Sequence, residues 1–242
     1  MLRIAMWSGP RNISTAMMRA FENRPDCVVA DEPLYGAWLK ITGAPHPMAD
    51  QIIAAMETDW RVVADQLTGP VPDGAAVWYQ KHMTHHLLAE MLEPGWLSKL
   101  THVFLIRNPA EVVASYLDMR GTVSAEDIGV PQQARLYDFV RAELGQDPPV
   151  IDSGEFLHNP EAQLRALCDR LGVAFDEAML NWPAGPRASD GVWAPHWYAS
   201  VRASTGFGPP RPSAPQPDGK ARKVVEQCWP LYQRLHAARI RG

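Results

Sequence analysis

The sequence predicts an α/β fold, with a central parallel sheet of about five strands and helices on both of its faces. Short apolar runs alternate with helical patterns along the chain, and this alternation is typical of parallel strands joined by helical crossovers. The first two runs, 2–7 and 27–31, follow each other through one short helix and so indicate a βαβ unit. We find no internal repeat and no linker between two folded units, so we expect one domain over residues 1–242.

The composition is that of a globular protein with a substantial core, since 46% of the 242 residues are hydrophobic. A net charge of −4 gives no footprint for nucleic acid, and no apolar run approaches the ~20 residues of a membrane span. The N-terminus enters the first strand directly, which leaves no room for a signal peptide. Three widely spaced cysteines form no CxxC pair, which argues against a disulfide framework and against a zinc site. We therefore expect a cytoplasmic protein without a bound metal.

The stretch from Ser8 to Thr15 joins the first strand to a helix over 14–21, and it predicts an anion site. Gly and Pro bend this loop, Arg11 supplies a charge, and Ser14 and Thr15 supply hydroxyls where the helix opens. A helix N-terminus adds unpaired N–H groups and the positive end of a dipole, which together suit a phosphate-like anion. The alternative is a plain strand–turn–helix unit with a surface arginine. The loop is not a Walker A motif, because no lysine precedes the hydroxyl pair.

The rest of the chain continues the alternation of strands and helices. Three further strands are predicted, over 75–83, 101–106 and 149–152. Apolar residues at helical spacing predict helices over 50–67, 126–144, 160–171 and 220–239. Pro131 and Pro230 fall inside the second and the last of these, so we expect a break or a kink there. A Pro-rich strap at about 206–219 precedes the C-terminal helix.

Glu32 is a candidate catalytic residue because it directly follows the second strand. Ligands of parallel sheets bind at the carboxyl ends of the strands, so Glu32 lies at the same edge as the anion loop. A carboxylate beside an anion site is unfavourable unless it has a function. It could act as a general base, or it could pair with Arg11 or Arg107. The alternative interpretation is a loop carboxylate with a capping role.

Lys81 and His82 lie at the end of the third strand, where they would face the same edge. Successive residues of a strand point to opposite faces, so we expect only one of the two to point into the site. His82 could also be a structural histidine that is hydrogen-bonded to the backbone. His85 and His86 follow closely, but no Cys or acidic ligand stands at a suitable spacing, which argues against a metal.

Arg107 ends the fourth strand and precedes a well-signalled helix. Asn108 suits the N-cap, Pro109 the first turn and Glu111 the third helical position. Ser115 lies about two turns into this helix, so Arg107 and Ser115 can face one ligand beside the sheet edge. The alternative is a capped helix in which Arg107 forms only a salt bridge.

These segments resemble the donor-binding motifs of the sulfotransferases, which use 3'-phosphoadenosine 5'-phosphosulfate (PAPS). The loop resembles their 5'-phosphosulfate loop, although many members carry lysine at the position of Arg11. The pattern Arg-Asn-Pro-x-Glu-x-x-x-Ser-Tyr at 107–116 is similar to their 3'-phosphate motif, in which Arg107 and Ser115 would hold the 3'-phosphate. By this resemblance, the residues that would bind the 5' end of PAPS are Arg11, Asn12, Ile13, Ser14 and Thr15.

The resemblance leaves two candidates for the base. The string Glu-Pro-Leu-Tyr at 32–35 looks like a segment of carbohydrate and tyrosyl-protein sulfotransferases in which the glutamate is taken as the base. Many cytosolic sulfotransferases instead have Lys-x-His at the end of the third strand, with the histidine as base. Aligning His82 with that histidine puts Gln80 at the lysine position, and aligning Lys81 leaves His82 unmatched. Glu32 is the better match.

Two later segments extend the resemblance. Residues 156–180 resemble the late strand–helix segment of the family, so the matched segments reach from residue 2 to about residue 180. Residues 185–193 are loosely similar to the loop that closes over the 3'-phosphate in the family. Arg187 is the basic residue of this stretch, and the resemblance would give it a contact with that phosphate.

The resemblance implies a P-loop NTPase-like fold and a PAPS-dependent sulfotransferase. Such an enzyme moves a sulfuryl group in line to a hydroxyl or an amine of a small-molecule or carbohydrate-like acceptor, with PAPS as co-substrate and without a metal. Glu32 or His82 would be the base, Lys81 would lie near the sulfuryl group, and Arg11 would stabilise charge on the leaving phosphate. Two alternatives are a P-loop-type small-molecule kinase, which the missing Gly-Lys pair disfavours, and a non-catalytic nucleotide-binding module of the same fold.

Overall fold

The computed structural model describes residues 1–210 and 217–241, apart from the side chains of residues 119 and 120. Five parallel strands form one sheet in the order β2-β3-β1-β4-β5. Their bounds are β1 Leu2–Ser8, β2 Cys27–Asp31, β3 Val77–Met83, β4 Thr101–Ile106 and β5 Val150–Asp152. The predicted fold class is confirmed. Because every strand runs the same way, all five carboxyl ends meet at one edge, and β1 lies at its centre between β3 and β4.

Helices cover both faces of the sheet. The helices of the first half of the chain are α1 Ser14–Glu22, α2 Tyr35–Thr42, α3 Ala49–Ala55, α4 Trp60–Thr68 and α5 Pro94–Leu97. Those of the second half are α6 Pro109–Arg120, α7 Ala125–Ile128, α8 Val130–Ala142, α9 Ser153–His158, α10 Pro160–Leu171, α11 Ala194–Trp197, α12 Ala199–Arg202 and α13 Gly219–Ala237. A short 3₁₀ turn at Thr84–His86 follows β3 directly.

Alternation along the central strand sends its side chains into two separate cores. Ile4 and Met6 pack with residues of α1 and α10 on one face, which we call the α1–α10 face. Ala5 and Trp7 pack with residues of α4 and α8 on the other, which we call the α4–α8 face. Both faces of β1 are therefore buried, and the same holds for β3, all seven residues of which are buried.

Two of the predicted helices are wrong in extent, because local capping interrupts a helical pattern of apolar residues. The helix predicted over 50–67 divides into α3 and α4, since Met56 is extended and the Asp59 side chain caps α4 by accepting from the Arg61 N–H at 2.9 Å. The helix predicted over 126–144 divides at Gly129, whose φ of +73° ends α7. Pro131 then lies in the first turn of α8, where a missing N–H costs nothing.

The C-terminal part of the chain returns to the sheet. α13 packs beside α6 and α8, and the Ile240 N–H donates to the Val150 carbonyl at 2.9 Å. Of the predicted Pro-rich strap, residues 211–216 lie outside the described residues. Phe207, just before them, contacts the rings of Phe156 and Trp182. Among the helices of the described chain, none combines the length and the apolar character needed to cross a membrane.

Candidate active site

The loop between β1 and α1 has the form of an anion cradle at the centre of the sheet edge. A Cβ atom added to Gly9 would lie 2.3 Å from the Ile128 carbonyl oxygen, so only glycine fits there. The Asn12 side chain pins the loop, because it donates to the Leu105 carbonyl at 3.1 Å and accepts from the Ile13 N–H at 2.9 Å. The first turn of α1 carries no acidic residue, so the positive end of the helix dipole is not neutralised.

Most of the predicted loop residues line one cleft at this edge. Arg11, Asn12, Ser14 and Thr15 all contribute to its wall. Ile13 instead packs against the α1–α10 face, so its side chain serves the core. Arg11 has a φ of +56°, an unfavourable value for a residue with a side chain. Backbone strain of this kind persists where the surrounding structure imposes it, and it is common at functional sites.

The predicted 3'-phosphate residues lie immediately beside this loop. Arg107 donates to the Arg11 carbonyl at 2.5 Å and to Glu111 at 3.0 Å, and Arg11 Nε donates to Ser115 Oγ at 2.9 Å. Asn108 caps α6 by accepting from the Ala110 N–H, whereas Glu111 pairs with Arg107 and does not complete a capping box. Arg107 thus forms the salt bridge that the alternative interpretation of this segment predicted, and it also contacts the loop between β1 and α1. Arg11, Arg107 and Ser115 therefore form one connected cationic and hydroxyl group.

Glu32 lies where the sequence predicts it, in the wall of the same cleft. It begins the loop after β2, its φ is +48°, and its N–H donates to the Lys81 carbonyl at 2.9 Å. This bond continues the pairing of β2 with β3, in which Asp31 lies opposite Lys81. The pairing brings the Glu32 carboxylate onto the Lys81 side chain, and Lys81 Nζ donates to Glu32 Oε1 at 2.6 Å.

Lys81 is the centre of a buried polar cluster that also contains Asp31 and Tyr198. Its side chain is only 1% exposed, and Nζ donates to Asp31 Oδ1 at 2.9 Å and to the Tyr198 hydroxyl at 2.5 Å. The Tyr198 hydroxyl in turn lies 2.8 Å from Asp31 Oδ2 and 3.4 Å from Glu32 Oε1. The sequence prediction missed both Asp31 and Tyr198. Asp31 carried a signal, since it is the strand-end neighbour of Glu32, but Tyr198 is brought in by the fold from 166 positions away.

The charges of this cluster set the ionisation of Glu32. Burial raises the pKa of Glu32, the Lys81 ammonium opposes this, and the Asp31 charge raises the pKa further, so the net direction is upward. Burial by itself would lower the pKa of Lys81, but Asp31 and Glu32 together raise it well above its ordinary value. The lysine therefore stays charged, and two carboxylates share its single positive charge.

His82 lies on the opposite face of β3, away from Glu32. Its ring stacks on Trp7 with centroids 4.2 Å apart, and its Nε2 lies 3.3 Å from the Gln80 side chain. Burial, and then the neighbouring His102, lower the pKa of His82 to about 3, so the ring is neutral. Of the pair Lys81 and His82, the lysine faces the cleft. The position of His82 gives no support to its predicted role as the base, because the α4–α8 face encloses it.

Aromatic rings close the cleft on the side of α2 and α11. Tyr35 stacks on His86 with ring centroids 4.3 Å apart, and its hydroxyl is hydrogen-bonded to His46. Trp197 of α11 also lines the cleft. His86 Nδ1 is buried without a hydrogen-bonding partner among the described residues, and it lies 3.9 Å from Glu32 Oε2. Burial lowers the pKa of His86 well below its ordinary value, so this ring is neutral. From the sequence, His86 was considered only as a possible metal ligand, and His46 was not predicted to have a role.

A second cavity of about 480 Å³, which we call the outer cavity, shares lining residues with the cleft. His46, His85, Tyr116 and Asp127 line both spaces, and the outer one is further lined by Trp38, Glu126 and Gln132. Gln132 Nε2 donates to the Glu126 carbonyl at 3.1 Å. The buried Oε1 of Gln132 has no hydrogen-bonding partner in the described chain. The outer cavity is thus aromatic and acidic in character.

Arg187 does not reach the cradle. Its guanidinium donates to the Pro183 carbonyl at 3.0 Å and lies 3.9 Å from Glu22 at the far end of α1. Arg107 and Ser115 are at the opposite end of that helix, beside its first turn. The structure therefore separates Arg187 from the 3'-phosphate residues with which the resemblance groups it. In the described residues, no group of three or more His, Cys, Asp or Glu side chains is placed to hold a metal ion.

A family model described as a sulfotransferase domain matches residues 2–239, nearly the whole chain. The chain belongs to the sulfotransferase family. The predicted family is thereby confirmed, and the match extends past residue 180, where the motif resemblance ended.

Two curated relatives come from Arabidopsis thaliana. This sulfotransferase-family chain is 38% identical over 234 residues to branched-chain-amino-acid aminotransferase-like protein 2 and 37% identical over 236 residues to the corresponding protein 1. The matches cover 96% and 97% of this chain but only 41% of each relative. The chain therefore spans about two fifths of the length of these relatives, and their names describe proteins more than twice as long.

Solved sulfotransferases share the fold. The sulfotransferase domain from the curacin biosynthetic pathway superposes with a TM-score of 0.53 at 15% identity, over 95% of this chain and 97% of that one. A sulfotransferase from Alicyclobacillus acidocaldarius gives a TM-score of 0.57 at 14% identity, over 98% and 95%. These similarities confirm the P-loop-like architecture of the family for this chain.

Proposed function

We propose that this chain, acting as one catalytic domain over residues 1–242, transfers a sulfuryl group from PAPS to a hydroxyl or an amine of a small acceptor. The observation that carries the proposal is the meeting of two features in one cleft. The N-terminus of α1 with Arg11 offers an anion cradle, and the Glu32 carboxylate faces the same space. A sulfotransferase needs both, because one end of its donor is anionic and its acceptor must lose a proton.

The residues present fit PAPS. The loop N–H groups, the hydroxyls of Ser14 and Thr15 and the Arg11 guanidinium form a donor set for the 5'-phosphosulfate, as expected where a helix N-terminus meets a phosphate. Arg107 and Ser115 would hold the 3'-phosphate. Ser115 contacts the Arg11 side chain, and Arg107 contacts the Arg11 backbone carbonyl. Arg is suited to this role because its forked N–H groups match two phosphate oxygens at once.

In the proposed reaction the acceptor oxygen or nitrogen forms a bond to sulfur, and the bond between sulfur and the 5'-phosphate oxygen breaks. Glu32 takes the proton of the acceptor, and adenosine 3',5'-bisphosphate (PAP) leaves with the electron pair of the broken bond. Arg11 and the N–H groups of α1 offset the charge that grows on the leaving phosphate. The raised pKa of Glu32 makes it a stronger base than an ordinary carboxylate, which favours this role.

The acceptor would lie in the aromatic part of the cleft, with its body in the outer cavity. A volume of about 480 Å³ is within the range of small-molecule sites, roughly 300–1,000 Å³. Glu126 and Asp127 in the wall disfavour anionic acceptors, while Trp38 and Tyr116 suit an apolar body. The free thiols of Cys27, Cys168 and Cys228 are compatible with a reducing compartment, and we propose the cytoplasm.

Titration calorimetry with PAP, ADP and ATP tests the donor, since it needs no acceptor. We expect PAP to bind more tightly than ADP, with or without Mg²⁺, because only PAP carries the 3'-phosphate that Arg107 and Ser115 would hold. Equal affinity for PAP and ADP in EDTA would reject PAPS as the donor. Tight binding of ATP that depends on Mg²⁺ would favour a kinase instead.

A further inference from the structure

We infer that Asp31 and Tyr198 are positioning residues that hold Lys81 against one oxygen of Glu32 and leave its other oxygen free for the acceptor. The inference rests on the proposed function, in which Glu32 is the base. It concerns two residues that have no part in the donor site and that no motif of the sequence indicated. Both act through Lys81 rather than on the substrate.

The hydrogen bonds of Lys81 and of the Tyr198 hydroxyl are all used within this cluster, which gives each of these two groups one orientation. Lys81 has three N–H bonds, and they point to Asp31, Glu32 and the Tyr198 hydroxyl at 2.9, 2.6 and 2.5 Å. The Tyr198 hydroxyl has one proton, which it donates to Asp31, and it accepts from Lys81 and from Trp193 Nε1 at 3.1 Å. A side chain whose hydrogen-bonding groups are all used is held in place far better than one with an unused group.

The hydrogen bond from Lys81 determines which oxygen of Glu32 can react. Oε1 accepts from Lys81, so it is occupied. Oε2 accepts no hydrogen bond from Lys81 or Tyr198 and lies 3.9 Å from His86 Nδ1, and the Glu32 side chain lines the cleft. An acceptor hydroxyl near Oε2 could donate to Glu32 and also meet the imidazole. A carboxylate that was free to rotate would present its two oxygens in turn, and it would lose this definition.

Asp31 also determines how basic Glu32 is. Four groups that act on Glu32 are Lys81 and Asp31 from the sheet, Tyr198 from the C-terminal segment and His86 from the turn after β3, and Arg11 lines the same cleft. His86 is neutral, so within the polar cluster one ammonium group faces two carboxylates. Without the charge of Asp31, Lys81 would be neutralised by Glu32 alone and would stabilise its ionised form more strongly. The base would then be weaker.

The C-terminal segment that carries Tyr198 is itself anchored to the sheet. The Gly191 N–H donates to Asp31 Oδ2 at 3.2 Å, and the Asp190 carboxylate pairs with the buried Arg19 of α1 and with Arg202. These contacts join residues 187–202 to α1 and β2, at the side of the cleft where Glu32 lies. The predicted phosphate-closing loop is therefore anchored beside the proposed base.

The test measures the ionisation of Glu32 in the full chain, with no acceptor required. Carbon-13 NMR of protein labelled at glutamate carboxyls gives the Glu32 signal, which is identified by its loss in Glu32→Gln. We expect Asp31→Asn to shift this titration to lower pH, because Lys81 then serves one carboxylate. Tyr198→Phe removes a neutral partner and is expected not to lower it. An unchanged or raised titration in Asp31→Asn would overturn the inference, whether or not PAP binds.

Tyr232→Phe is the matched control. Tyr232 is a buried tyrosine that donates to a strand-end aspartate, Asp152, at 2.9 Å, but it lies on α13 outside the cleft lining of the described chain. We expect it to leave the Glu32 titration unchanged. Once an acceptor is known, Asp31→Asn and Tyr198→Phe should each lower kcat by about 10- to 100-fold through misplacement of the base, while PAP affinity and Tyr232→Phe turnover stay near wild type. If the wild-type chain did not bind PAP, the proposed function would be rejected, while the NMR result on Glu32 would still hold.

Discussion

Lys81 and His82 are neighbours in one strand, each 1% exposed, yet they lie in opposite environments. Lys81 faces two carboxylates and a tyrosine hydroxyl at the rim of the cleft. His82 faces Trp7, Gln80 and His102 in a closed core. The difference lies in what each buried ionisable group has for partners. The charge of Lys81 is retained because it is paired, and the charge of His82 is suppressed because it is not.

This contrast separates burial from function. A buried titratable residue with a shifted pKa is a candidate for a functional site, but the shift alone does not identify one. The pKa of His82 is lowered by desolvation, as that of any enclosed histidine would be. The pKa of Glu32 is raised in a group that lines a cleft and binds Lys81 through only one of its two oxygens. Access to a ligand decides between them.

The largest expected effect comes from the two candidate bases. A base that acts in the transition state contributes ~10²–10⁴ in rate, so we expect Glu32→Gln to lower kcat by that order and to leave PAP affinity nearly intact. His82→Asn, on the other face of β3, should cost far less. The measurement is steady-state turnover with an acceptor found by screening, alongside PAP titration and thermal unfolding of both variants. Near-normal turnover in Glu32→Gln together with lost turnover in His82→Asn would reverse the assignment.

The sheet and the position of its reactive edge could be predicted from the sequence, because they follow from local patterns. Apolar runs gave all five strands, and the rule that ligands bind at carboxyl ends then placed the 8–15 loop and Glu32 together. The predicted helix boundaries are wrong at 56–59 and at Gly129. A side-chain cap at the first position and a glycine with positive φ at the second interrupt a continuous apolar stripe. Capping is a local event that averaged periodicity does not detect.

The sequence could not choose between Lys81 and His82 for a physical reason. Alternation shows that they face opposite ways, but every residue of β3 is buried, so no polar face marks the cleft side. Tyr198 could not be found because its partners are strand-end residues more than a hundred positions earlier. Arg187 was assigned to the 3'-phosphate by a loose loop similarity, but in the fold it lies beside Glu22 of α1.

A second prediction sharpens the comparison within the donor site, between a charged and a neutral contact. Losing the charge-assisted bond of Arg107 should cost about 1.5–3 kcal/mol of PAP binding, against ~1 for the neutral hydroxyl of Ser115. The first figure corresponds to roughly tenfold or more in Kd. Calorimetric titration of Arg107→Ala and Ser115→Ala measures both, and the reverse ranking would mean that Arg107 serves the fold.

Arg165→Ala is the matched control for Arg107→Ala. Arg165 also forms an i,i+4 pair, with Glu161 at 2.7 Å, on α10, a helix that likewise begins with Asn-Pro. The pair is exposed, and neither residue lines the cleft. If its removal lowered PAP affinity as much as the loss of Arg107 does, the effect of Arg107 would reflect a general loss of helix stability.

The smallest expected effect concerns the closed core on the other face. The folded pKa of His82 is about 3 and that of His102 about 4, both below the ordinary value of 6.5. Between these folded pKa values and pH 6.5, the unfolded chain binds protons that the folded chain does not bind. The contribution of these histidines to the free energy of unfolding is therefore fully present above pH 6.5 and is lost as the pH falls below it. His85 and His86, whose pKa values are also lowered, act in the same direction. His82→Asn should therefore take up about one proton fewer on unfolding at pH 5, as measured by the slope of unfolding free energy against pH. A slope unchanged from wild type would show that His82 is already protonated in the folded protein, and the contrast between the two faces of β3 would then fail on the His82 side.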